Sequence, residues 1–157
     1  MTAFEKAVEL GANNQQFWGN LGDGYRWAPG RRADAAAAYQ RASDLIQQQI
    51  AKQPGDADLN SRHAVYLIKL GNRTAALEAI AGFENRPGLT PQILYRMTVV
   101  AELAGDRPRA LRALERALKA GYPVKDLASE PELTALRTDL RYHRLLGASA
   151  AKPQAAR

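Results

Sequence analysis

Two stretches of this chain repeat each other at one fixed distance. Gly71 and Gly105, Ala76 and Ala110, Ile80 and Leu114, and Asn60 and Leu94 each stand 34 residues apart. A constant period of roughly 20 to 50 residues marks a repeat architecture, in which each supersecondary unit buries its apolar face against the next. Gly71-Asn72 and Gly105-Asp106 fall where a glycine in the left-handed conformation closes a helix, and Ala76 and Ala110 supply a small residue at a helix crossing. Helices are therefore predicted over 57–70, 73–84, 91–104 and 107–120, with Thr90 as an N-cap and Pro91 in a first turn.

An earlier copy is more explicit. In Trp18–Tyr25, WGNLGDGY, Trp18, Leu21 and Tyr25 lie three and four residues apart on one helix face, and Gly22 leaves room for a paired helix. Ala35, Tyr39 and Ala42 follow as the small, bulky and small residues of that partner. The first helix is predicted over 15–28, stopped by Pro29-Gly30, and the second over 31–53, stopped by Pro54-Gly55-Asp56. The second is overlong: Ala35 to Ala76 is 41 residues, seven more than the period, or about two helical turns. Its apolar stripe of Tyr39, Ala42, Leu45, Ile46 and Ile50 continues into the extension, so the added turns are expected to bury something.

Upstream, residues 4–10 read as the end of a second repeat helix, with Phe4 and Ala7 spaced like Tyr39 and Ala42 and Asn14 as the next N-cap. A half repeat cannot bury its apolar face, so the chain is expected to be cut from a longer protein or to meet another chain there; Met1-Thr2 fits a recombinant start. Downstream of Gly121-Tyr122-Pro123, short helical pieces over 124–128, 132–137 and 139–146 carry leucines that would cap the open end, and 147–157 reads as a disordered tail. The organisation expected is thus a half repeat over 3–12, repeats over about 15–54, 57–88 and 91–121, a helical cap over 122–146, and the tail.

Composition narrows the function classes. The chain has 157 residues and no cysteine, which removes disulfides, thiolate metal sites and a cysteine nucleophile. Lys and Arg outnumber Asp and Glu by 22 to 16, a modest excess. No apolar run is long enough for a membrane span, so a soluble protein is expected, cytoplasmic rather than periplasmic.

The tryptophan signature, the small-residue positions and the 34-residue register resemble the tetratricopeptide repeat family over about 4–121, with Asn60 and Leu94 in place of the signature tryptophan and His63 and Met97 in place of leucine. The resemblance implies an all-α solenoid of helix-turn-helix repeats. The end of the chain, GYPVKDLASEPELTALRTDLRYHRLL, is similar to the closing stretch of such regions in bacterial serine/threonine kinases and winged-helix regulators. That would make this piece a sensory or recruitment module. Family members bind peptides or helices in a concave groove lined by first helices. Transferred by position, the groove would present Gln16, Gly19, Asn20, Asp23, Arg26 and Trp27, then Arg62, Val65 and Lys69, then Tyr95, Val99 and Glu102, with Arg62, Lys69 and Tyr95 as contacts. Gly19 and Asp23 interrupt the Lys, Arg and Asn set by which chaperone-binding members hold a C-terminal carboxylate, so no such clamp is expected.

Other signals are read against their structural counterparts. Trp27 lies off the packed face, where it either contacts a partner or packs on the Pro29-Gly30 loop. Gly19 either follows repeat packing or leaves a bare patch for a ligand backbone. Arg109, Arg112, Arg116 and Lys119 form one basic stripe and Arg137, Arg141 and Arg144 another; both read as solvated faces, and nucleic acid is the weaker alternative because only Tyr142 and His143 could serve as stacking platforms. His63 and His143 lack a second ligand at i+4, so neither a metal nor another cofactor is expected. GDG is not a nucleotide loop, no catalytic motif is present, and the Asn72-Arg73-Thr74 sequon lies in a tight turn. The expectation is a non-enzymatic scaffold for a protein or peptide partner, with self-association through the half repeat or the long helix as the structural alternative.

Overall fold

A computed structural model describes residues 3–150; Met1-Thr2, residues 151–157 and the side chains of Phe4 and Ala150 lie outside it. The described residues are all helical, without a strand: α1 Ala3–Leu10, α2 Gln15–Arg26, α3 Arg32–Lys52, α4 Ala57–Lys69, α5 Arg73–Ala81, α6 Pro91–Leu103, α7 Arg107–Lys119, α8 Val124–Ala128, 3-10 turns at Pro131–Leu133 and Leu136–Thr138, and α9 Leu140–Ala150. The chain divides into two compact units between Phe83 and Glu84, inside the stretch expected as the repeat 57–88.

The helix boundaries follow from local chemistry. Asn14 accepts the Gln16 amide at 2.9 Å, and Trp18 Nε1 donates to the Ala12 carbonyl at 2.8 Å, which fixes the α1–α2 turn. Asp56 caps α4 through the Asp58 and Leu59 amides, and Thr90 caps α6 through Ile93. The repeat glycines behave alike. Gly71, Gly105 and Gly121 have φ of 88°, 79° and 95°, and beyond each the next amide reaches back to the carbonyl five residues earlier, Asn72 to Leu67, Asp106 to Ala101 and Tyr122 to Ala117, all at 2.9 Å.

In the first unit α1 lies on α2, α2 on α3, α3 on α4 and α4 on α5. Ala35, Tyr39, Ala42, Ile46 and Tyr66 form one core cluster with Trp18, Tyr25, Ile50, Leu59 and Leu70 against it; Val8, Leu21 and Ala38 form another with Phe17, Trp18 and Tyr25. The signature residues therefore pack, and the overlong end of α3 is buried through Ile46 and Ile50. A Cβ on Gly22 would stand 2.6 Å from Tyr39 Cδ1 and Cε1, so the α2–α3 approach depends on glycine there. Gly19 is equally close to Tyr66, at 2.7 Å from Cε1. The bare patch considered for Gly19 is filled by that ring, whose hydroxyl donates to Gln15 Oε1 at 2.5 Å.

In the second unit α6 pairs with α7, α7 with α9, and the first 3-10 turn with α6. Leu127, Leu133 and Leu136 are fully buried, so the segment after Gly121 does cover apolar surface. Three boundaries differ from expectation. α5 stops at Ala81, short of the expected 84, with Gly82 at its C-cap. The piece expected over 132–137 is two 3-10 turns, started by Pro131, which has no amide hydrogen. α9 runs to Ala150, so the expected tail over 147–157 is helical in its first four residues and otherwise lies outside the described residues.

Candidate functional site

In the first unit the expected groove residues come together on α2 and α4. Arg62 donates to Asp58 at 2.8 Å, and with its amide oxygen turned toward α4 Gln16 accepts from the same guanidinium, at 3.2 Å from Nη2. Asp23 accepts from the Tyr39 hydroxyl at 2.5 Å and from Lys69 Nζ, which also lies 5.4 Å from the centre of the Tyr39 ring. Two polar bridges thus tie α2 to α4, and each cation faces a carboxylate of its own face. Arg62 and Lys69, expected as contacts for a partner, are held in these bridges. Asn20 is exposed, Val65 is half-buried and Arg26 partly so. Trp27 is 61 % exposed, with the Arg26 guanidinium 6.0 Å above its ring.

The α6 positions are placed differently. Val99 is 5 % exposed and the Glu102 side chain 6 %. Glu102 accepts two bonds from Arg107, at 2.7 and 2.6 Å, and Arg107 reaches Asp139 at 3.5 Å. Tyr95 donates to Glu130 and stacks on Tyr122, ring centres 4.5 Å apart and planes 9° from parallel. Burial, reinforced by the Glu130 carboxylate, pushes the Tyr95 phenol far above its ordinary value, and burial also raises Tyr122. The expected groove is corrected at these three positions: Val99 is buried, Glu102 is held by Arg107, and Tyr95 is bonded to Glu130 and stacked on Tyr122. A sequence signal for this existed. PQILYRMTVVAEL has apolar residues around its whole circumference, the pattern of a helix covered on more than one side.

The basic stripes are largely engaged. Arg109 pairs with Glu84 at 2.7 Å, Arg116 donates to the Glu84 and Arg86 carbonyls, and Lys119 pairs with Glu115 at 2.6 Å; Arg112 is exposed. Arg137 donates to the carbonyls of Leu127 and Glu130 and to Thr134 Oγ1, so it is a staple inside the C-terminal segment rather than part of a face. Arg141 binds Asp139 and holds that carboxyl well below the usual range; Arg144 and His143 are exposed.

The spacing gave no sign of one polar cluster. His63 Nε2 stands 3.0 Å from Ser43 Oγ on α3 and 3.3 Å from Gln47 Nε2. Burial holds the imidazole pKa below its usual value. Ser43 is only 2 % exposed, and the pair joins α3 to α4. Among the described residues no three His, Asp or Glu side chains converge on a point that could hold a metal, and no helix is long and apolar enough to cross a membrane. Comparison with protein-family models, with curated proteins and with solved structures finds no match.

Proposed function

We propose that the chain is a non-enzymatic interaction module of tetratricopeptide type, an α-solenoid whose first-helix faces bind a peptide or helix of a protein partner, within a larger bacterial signalling protein. The observation that carries this reading is the face formed by α2 and α4, where Gln16 with Arg62 and Asp23 with Lys69 bridge the helices and leave Asn20 and Trp27 outermost. Because both bridging cations are neutralised locally, the partner is recognised by amide hydrogen bonds and an aromatic contact rather than by net charge. The face has no cluster of unpaired cations for a terminal carboxylate.

Selection of peptides from a random library on the full chain tests this. Asn20→Ala with Trp27→Ala is expected to weaken the selected peptides roughly tenfold or more. Unchanged affinity would reject the α2–α4 face as the site.

Self-association is favoured by one observation, Leu10 at the end of α1, which is 83 % exposed. Light scattering over a range of concentrations separates the two readings: a constant monomer mass removes self-association.

A further inference from the structure

The segment that covers α6 has a regular design. Leu127, Glu130, Leu133 and Leu136 stand at three-residue steps; the three leucines are fully buried and Glu130 accepts from Tyr95. Leu127 lies in α8 and Leu133 and Leu136 in the two 3-10 turns, the first of which packs on α6 and the second on α9. Arg137 holds the segment in shape from within, through the carbonyls of Leu127 and Glu130 at 3.1 and 2.7 Å. Asp139 completes its grip on the unit through Arg107 at 3.5 Å. Through Glu130 and the first 3-10 turn the segment rests on α6, at Tyr95, a position that the repeat reading assigns to the first-helix face.

We infer that the α6 face is itself a binding site for a short segment, that residues 127–139 are its resident occupant, and that a partner segment carrying a carboxylate between leucines at three-residue steps competes with them. The inference rests on the proposed reading that first-helix faces bind partner segments, but it concerns Tyr95 in the second unit and not Trp27 in the first. Tyr95 is the discriminating contact: its hydroxyl is a buried donor, satisfied by a carboxylate and left unpaired by an apolar side chain in that place. Leucines at the flanking steps are required because a replacement has to cover the apolar surface that Leu127, Leu133 and Leu136 now cover.

The test uses the full chain and a fluorescein-labelled peptide of residues 124–139 added in trans, read by anisotropy. While the resident segment is docked, apparent affinity is reduced by the fraction of chains whose site is open, so Glu130→Ala with Arg137→Ala is expected to raise peptide affinity about tenfold or more over the wild type. Adding Tyr95→Phe to that variant is expected to cancel most of the gain. Equal binding by wild type and loosened variant, with helical circular dichroism retained, overturns the inference. If the variant loses its helices, amide exchange of the unaltered protein decides. Leu133 and Thr138 exchanging through an opening that leaves α7 protected supports a displaceable occupant, and exchange only together with α7 overturns it. Peptides whose affinity is unchanged by Asn20→Ala with Trp27→Ala would reject the α2–α4 face and leave this outcome unaffected.

Discussion

α2 and α6 occupy the same place in the repeat pattern and meet different fates. α2, QQFWGNLGDGYR, has four buried residues among twelve and keeps Asn20 exposed on its outer face. α6, PQILYRMTVVAEL, has seven among thirteen, and its Tyr95 is bonded to Glu130 beyond Gly121. The two helices differ in what their outer positions hold. In the register that sets Leu94 against Trp18, Asn20 and Asp23 correspond to Arg96 and Val99 and Gly19 corresponds to Tyr95, so the added apolar surface of α6 is at Tyr95 and Val99. Repeat register therefore identifies which face a residue occupies, and the apolar content of that face identifies whether it stays open.

The largest effect is expected where the covered face is undone. Leu136→Ala removes a fully buried side chain from the closed unit and should cost about 2–5 kcal/mol in urea-induced unfolding. A cost near that of an exposed leucine would mean that the C-terminal segment contributes no core, and the contrast between the units would fail. Gly22→Ala probes the open unit with a smaller expected cost, about 1–3 kcal/mol, because the new Cβ meets the body of the buried Tyr39 ring. Gly19→Ala should cost less, since the Cβ meets only the outer edge and hydroxyl of Tyr66. Equal costs at both positions would show that Tyr39 yields as easily as Tyr66.

The helices, their caps and their closing glycines were legible because each is local: Asn14 and Thr90 cap through amides two or three residues away, and Gly71 and Gly105 close helices through carbonyls within one turn. The packing of Trp18, Leu21 and Tyr25 followed from spacing alone. The closed state of α6 was less legible, because Tyr95 and Glu130 are 35 residues apart, and the apolar circumference of α6 shows that it is covered but not by what. Charge pairing was the least legible. Arg62 and Lys69 look like free cations in the sequence; only when α2 lies beside α4 do Gln16 and Asp23 come within reach of them.

Acid and alkali should separate the units in opposite directions. Burial keeps the His63 imidazole below its ordinary pKa, so the unfolded chain binds more protons than the folded one as pH falls below about 6.5. Stability of the α3–α4 pair is full above that value and declines below it, and His63→Gln should flatten the decline. Tyr95, Tyr122 and Tyr142 are raised, each chiefly by burial. Stability of the closed unit is therefore full below about pH 10 and falls as pH rises beyond it, when the unfolded phenols ionise first. Tyr95→Phe should shrink the alkaline loss, and hydrogen exchange at graded pH can assign each loss to its unit. Acid sensitivity in α6–α7 that exceeds that of α3–α4 would point to Asp139, whose carboxyl is held low by Arg141.

Trp27 gives the smallest expected effect on stability and the sharpest test of openness. Its ring is 61 % exposed and lies beneath the guanidinium of Arg26, the last residue of α2. Replacement by alanine therefore removes little buried area, and the expected change in unfolding free energy is within about 0.5 kcal/mol. An exposed tryptophan is also a large apolar surface kept in water, and at an interface such a residue often carries much of the binding energy. The two quantities should thus dissociate: unfolding midpoints of wild type and Trp27→Ala coincide, while affinity for peptides selected on the α2–α4 face falls. Tyr95→Ala should show the reverse, with a clear loss of stability because Glu130 and Tyr122 lose their partner. A stability loss of similar size at Trp27 would mean that this ring covers core, and the first unit would then have no more open a face than the second.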